Sequence, residues 1–80
     1  MNKEQIKSEL GDLIGSILVV KKEDIDYEQS WIEAGIESFA LVETLVGIQD
    51  HFDIQIETPE LESVTTINHM VELINRKLSE

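Results

Sequence analysis

The apolar positions of this chain fall into three groups with helical spacing, divided by polar stretches. Ile6, Leu10, Leu13, Ile14 and Ile17 make one stripe and predict an amphipathic helix from about Lys3 to Val19. Gly11 and Gly15 lower the intrinsic propensity of that segment, so burial of the stripe must supply most of its stability. Close packing against a neighbour is expected at the two glycines. Leu41, Leu45, Ile48 and Phe52 line one face of a second helix, from about Ser38 to His51 or Phe52. Val42 and Val46 fall beside that face, and Ser38 stands at the N-cap or first turn. Ile67, Met70, Val71, Ile74 and Leu78 mark a last helix beginning near Thr65 or Thr66. Arg76 and Lys77 near its end suit the helix dipole.

Residues 20–37 read as a long, acidic, irregular connection pinned to the core by Trp31, Ile32 and Ile36. Loops of this length are usually functional or flexible. Gly35 is expected to hold a backbone conformation that other residues disfavour. The segment from Asp53 to Glu57 alternates like a strand but has no pairing partner, and reads as a loop that buries Ile54 and Ile56. The run from Thr58 to Ser63 resembles a cap, a proline at the first helical position and a single turn, hence a short third helix. The expected fold is all-α: a four-helix bundle of three main helices and one short one, with a long first loop, in a single domain over residues 1–80.

Charge narrows the possible partners. The formal net charge is −11, and no Lys or Arg occurs between Lys22 and Arg76. Such a field repels nucleic-acid phosphates and anionic lipid, and attracts basic protein surfaces. No apolar run approaches a membrane span, and the polar start lacks a signal-peptide core. With no cysteine, neither a disulfide framework nor a thiolate metal site is available. A monomeric cytoplasmic protein is the expectation.

A self-contained catalytic site is hard to assemble. His51 and His69 form no metal-ligand spacing and read as solvent-facing helix positions. Asp24, Asp26 and Glu28 alternate like a calcium loop, but Gln29 and Gly35 stand where that loop needs glycine and glutamate. No glycine-rich phosphate loop is present. What remains is Gly35-Ile36-Glu37-Ser38-Phe39 at the start of an apolar helix. A hydroxyl there lies beside unpaired N–H groups and the positive end of the dipole, where a phosphate is favoured.

The stretch from Trp31 to Glu43, WIEAGIESFALVE, resembles the signature of the acyl and peptidyl carrier protein family. The family's form is an acidic loop, then Gly, an aliphatic residue, Asp, Ser and Leu, and an apolar helix containing Val-Glu. His51-Phe52-Asp53-Ile54-Gln55-Ile56 is similar to its Phe-x-Ile-x-Ile segment. Glu60-Leu61 and Val64-Thr65-Thr66-Ile67 resemble its third helix and the entry to its last. The resemblance spans essentially the whole chain. It implies a 4'-phosphopantetheine arm on Ser38, attached by a phosphopantetheinyl transferase from coenzyme A with magnesium. The arm would carry acyl or aminoacyl groups as thioesters between loading and transferring enzymes that dock through basic surfaces, and the protein itself would not be an enzyme. By position, Glu37, Phe39, Val42, Glu43, Val46 and Asp50 would meet those partners.

The sequence also departs from the family pattern. Glu37 replaces the usual Asp, Phe39 the usual Leu, and Gln49 is neutral where many fatty-acid carriers are acidic. Ser-Phe also occurs in D-alanyl carrier proteins. These differences point toward a freestanding carrier of a specialised pathway, or an aminoacyl carrier. The alternative is an acidic helical interaction module in which Ser38 is a plain cap.

Overall fold

The fold, described over all 80 residues by a computed structural model, begins with helix α1 (Lys3–Leu18). Asn2 caps it: its side chain accepts from the Gln5 N–H at 2.9 Å, and the Gln5 side chain accepts from the Asn2 N–H at 3.2 Å. Val19 lies outside the helix in the left-handed region, φ 57° and ψ 49°, and turns the chain away. The two glycines let neighbours approach closely. A Cβ on Gly15 would stand 2.9 Å from the Val20 carbonyl, and one on Gly11 would collide with the Tyr27 hydroxyl.

The long connection contains a 3-10 turn, Lys22–Asp24, that the hydrophobic pattern does not anticipate. The Lys22 ammonium ties this turn to α1 through Ser8 Oγ at 2.6 Å and Asp12 at 3.1 Å. Further along, backbone bonds stitch the loop to the entry of the last helix. The Trp31 N–H donates to the Thr65 carbonyl at 3.2 Å. The Gln29 carbonyl accepts from the Ile67 N–H at 3.2 Å, and the Tyr27 carbonyl from the Asn68 N–H at 2.8 Å. Ser30 and Thr66 thereby form an isolated antiparallel bridge.

Two of the three expected pins hold. Trp31 and Ile36 are buried, but Ile32 is 71% exposed. The reason is local: the Ile36 N–H donates to the Trp31 carbonyl at 2.8 Å and closes a turn. That turn directs its first and last side chains inward and leaves Ile32 outside.

Helix α2 (Phe39–Phe52), short helix α3 (Thr58–Glu62) and helix α4 (Ile67–Ser79) complete the bundle. Thr66 caps α4 by accepting the His69 N–H at 3.1 Å. Ile6, Leu10 and Ile14 of α1 meet Ile48 and Phe52 of α2 and Ile67, Met70 and Ile74 of α4 in the core. Thr44 is the buried polar residue of α2, and its hydroxyl donates to the Ala40 carbonyl at 2.7 Å.

Several apolar side chains pack less completely. Leu41 and Leu45 of the predicted α2 stripe are only half-buried, as are Ile54, Ile56 and Leu61. No residue of α3 is fully buried. The short helix starts one residue earlier than its proline suggests, with Glu57 at the N-cap and Thr58 as its first residue. Glu60 fastens it: the carboxylate accepts from Lys77 at 2.7 Å, from Arg76 at 3.4 Å and from the Glu57 N–H at 3.0 Å.

These bonds, the Lys77 contact first and the Glu57 N–H next, hold the Glu60 carboxyl below the ordinary value of 4.5. A depressed folded value favours the ionised form in the folded state. The resulting stabilisation is present above 4.5 and is lost as pH falls through the depressed value. The protection factors of amides in residues 58–62, corrected for the intrinsic pH dependence of exchange, are therefore expected to fall on acidification before those of the core amides. In Glu60→Gln that acid-dependent component should vanish. An identical pH profile in the two proteins would refute the assignment.

Candidate functional site

Gly35, at φ 90°, turns the connection toward the start of α2, a conformation that side chains resist. Ile36 is 1% exposed and anchors the chain from below. Glu37, Ser38 and Phe39 then emerge into solvent.

Ser38 occupies the N-cap position but does not act as a cap. Its backbone lies at φ 54° and ψ −120°, and its side chain makes no capping hydrogen bond. A non-glycine residue held there carries strain of about 1–3 kcal/mol. A capping serine adopts extended backbone so that its oxygen folds over the first amides. Ser38 departs from that backbone, makes no such bond and is exposed to solvent.

The first turn of α2 is correspondingly open. The Ala40 N–H donates to the Glu37 carbonyl at 3.1 Å and the Val42 N–H to the Ser38 carbonyl at 3.2 Å. The Phe39 and Leu41 N–H groups have no backbone acceptor. Two free donors and the positive end of the helix dipole therefore lie beside an accessible oxygen. A phosphate ester on that oxygen fits the local electrostatics.

Below Ser38, α2 presents an apolar ridge to solvent: Phe39 is 75% exposed, Val42 57% and Val46 52%. Glu43 and Asp50 are exposed on the same helix, and Glu37 precedes it. The two histidines are engaged separately. His51 contacts the Glu9 carboxylate at 2.6 Å, and His69 Nδ1 lies 2.9 Å from the Thr65 hydroxyl. Asp26 accepts the Glu28 N–H at 3.0 Å within the loop, and Glu28 accepts from the Asn68 amide. No helix is long and apolar enough to cross a membrane.

Three features of this region are not readable from residue spacing. They are the left-handed Ser38, the stitching of the loop to α4, and the state of the Trp31 indole. Trp31 is 7% exposed, and its Nε1–H has no hydrogen-bond partner. The only advance signal for the last is that a tryptophan, which carries a donor, occupies a core position.

The bundle thus displays, at the start of α2, an exposed serine beside open backbone N–H groups, where a phosphodiester is electrostatically favoured. Residues 8–74 match the family model described as the phosphopantetheine attachment site, and the chain belongs to that family. Its structure is similar to the crystal structure of an acyl carrier protein from Thermotoga maritima, with a TM-score of 0.81 and 18% identity. That match covers 99% of this chain and 93% of the other. The fold is the all-α acyl carrier protein fold. Membership makes the protein a phosphopantetheine carrier, with 4'-phosphopantetheine attached covalently.

Proposed function

We propose that Ser38 is the attachment residue and that the protein holds acyl or aminoacyl groups as thioesters and presents them to biosynthetic enzymes. The observation that carries this reading is the Ser38 hydroxyl: exposed, free of any capping bond, and next to the unpaired N–H groups of Phe39 and Leu41.

Each residue of the site then has a defined task. Ser38 Oγ is the nucleophile toward the diphosphate of coenzyme A, losing its proton as the new P–O bond forms and adenosine 3',5'-bisphosphate departs. Outward presentation, maintained by the strained backbone, gives a transferase access without unwinding α2. The Phe39 and Leu41 amides stabilise the diester's negative charge at low reorganisation cost. When attached, the arm supplies a thiol on which cargo is held.

The surface around Ser38 selects partners. Glu37, Glu43 and Asp50 draw basic docking faces and accelerate encounter, while Phe39, Val42 and Val46 provide the apolar contact that sustains it. With no Lys or Arg between Lys22 and Arg76, nothing cationic of that kind on α2 opposes such a partner.

The test is chemical. Incubated with coenzyme A, magnesium and a promiscuous phosphopantetheinyl transferase, the protein is expected to gain the mass of one arm, and Ser38→Ala to gain none. An intact mass that never increases, or one that increases equally in Ser38→Ala, overturns the reading.

A further inference from the structure

A buried N–H with no acceptor is costly to a folded protein, and each one calls for an explanation. Here that group is the indole of the single tryptophan, Trp31. Its ring is packed among the core side chains and 7% exposed. Its backbone is fully engaged: the N–H donates to Thr65 and the carbonyl accepts from Ile36. Only the side-chain donor is left over.

Its place in the chain links that donor to Ser38. The Trp31 carbonyl lies 2.8 Å from the Ile36 nitrogen, and Ser38 is two residues further on. Two extended residues span at most roughly 7 Å. The Trp31 backbone is therefore about 10 Å or less from that of Ser38. A phosphopantetheine chain, from phosphorus to sulfur, reaches about as far as four to five extended residues, roughly 15 Å. It carries two amide carbonyls, and a thioester adds a third. None of the arm's own groups needs to leave the neighbourhood of the loop to meet the indole.

Part of the bundle is lightly packed. Leu41, Leu45, Ile54, Ile56 and Leu61 are half-buried against the core, and α3 buries none of its residues completely. Elements with so little buried surface open at low free-energy cost.

We propose that the Trp31 Nε1–H receives a carbonyl oxygen of the tethered group when that group folds back against the first loop. This inference rests on the assignment of Ser38 as the attachment residue. Trp31 is then a positioning residue that fixes the depth at which a carbonyl of the tethered chain is held. It donates a hydrogen bond and transfers nothing.

The single indole makes the test direct. Nitrogen-15-labelled protein is prepared unmodified, with the arm alone, and with the arm carrying a non-hydrolysable acyl amide. Intact mass is checked first. The Trp31 indole proton is expected to move downfield and exchange up to roughly tenfold more slowly once the acceptor arrives. A change already complete with the arm alone assigns the oxygen to the arm's amides; one that needs the acyl group assigns it to the cargo. An indole signal unchanged across three proteins of correct mass overturns the proposal while leaving Ser38 intact. Failure of the mass to increase overturns both. Thermal melts give an independent reading. Modification should raise the melting temperature of the wild type more than that of Trp31→Phe, which keeps a ring but has no donor. Equal increments refute the contact.

Discussion

Replacing Ile14 by alanine is expected to remove about half of the chain's folding free energy. Ile14 is 0% exposed and lies in α1 among Leu10, Ile48, Ile67 and Ile74. Truncating such a side chain costs about 2–5 kcal/mol, because the cavity collapses only in part. A chain of this length has roughly 4–12 kcal/mol in total. No disulfide reinforces the bundle. Ile32→Ala provides the control: the residue is 71% exposed, so its truncation should change stability by less than about 0.5 kcal/mol. Urea titrations followed by helical circular dichroism compare the two. The Ile14→Ala midpoint should fall sharply with little change in slope. Equal midpoints for the two variants would contradict the core described above.

Val42→Asp is expected to leave the fold intact and yet cripple loading. Val42 is 57% exposed, so an aspartate there enters no core and strands no buried charge. Melting should be nearly unchanged. On the proposed docking ridge, however, it puts a carboxylate between Phe39 and Val46 where a partner must exclude water. Loss of one well-buried apolar contact at an interface is worth more than about 1.4 kcal/mol, or tenfold. The transferase should therefore modify Val42→Asp at least tenfold more slowly at equal concentration. Added salt separates the two contributions to recognition: it should slow loading of the wild type by screening attraction to Glu43 and Asp50, without rescuing Val42→Asp. Unimpaired loading of Val42→Asp would remove the ridge from the interface.

How much of this was legible in the residues follows from which forces leave a mark on sequence. Burial does, and the stripes of α1, α2 and α4 place those helices to within a residue or two. Ile54 and Ile56 line a loop rather than a strand for the same reason: no second segment offers a ladder. Backbone hydrogen bonds leave no such mark. The bonds from Tyr27, Gln29 and Trp31 to the residues around Thr66 use groups that every residue has, so neither they nor the outward turn of Ile32 could be read in advance. Ser38 is the instructive case. Its position at the N-cap of α2 was legible, but its positive φ and the absence of a capping bond were not, because dihedral angles at a single non-glycine residue are not written in residue type. Glu60 is similar: its partners lie a full α4 away in sequence, so its grip on Lys77 appears only after the helices dock.

The seam between the first loop and the entry to α4 makes these two regions one mechanical part. Any substitution that re-angles residues 65–68 will drag the serine with it through three main-chain tethers, although none of those residues borders it in sequence. The setting of the proposed attachment residue thus depends on the far side of the primary structure, and a redesign that treats the last helix as mere support would retune it unawares.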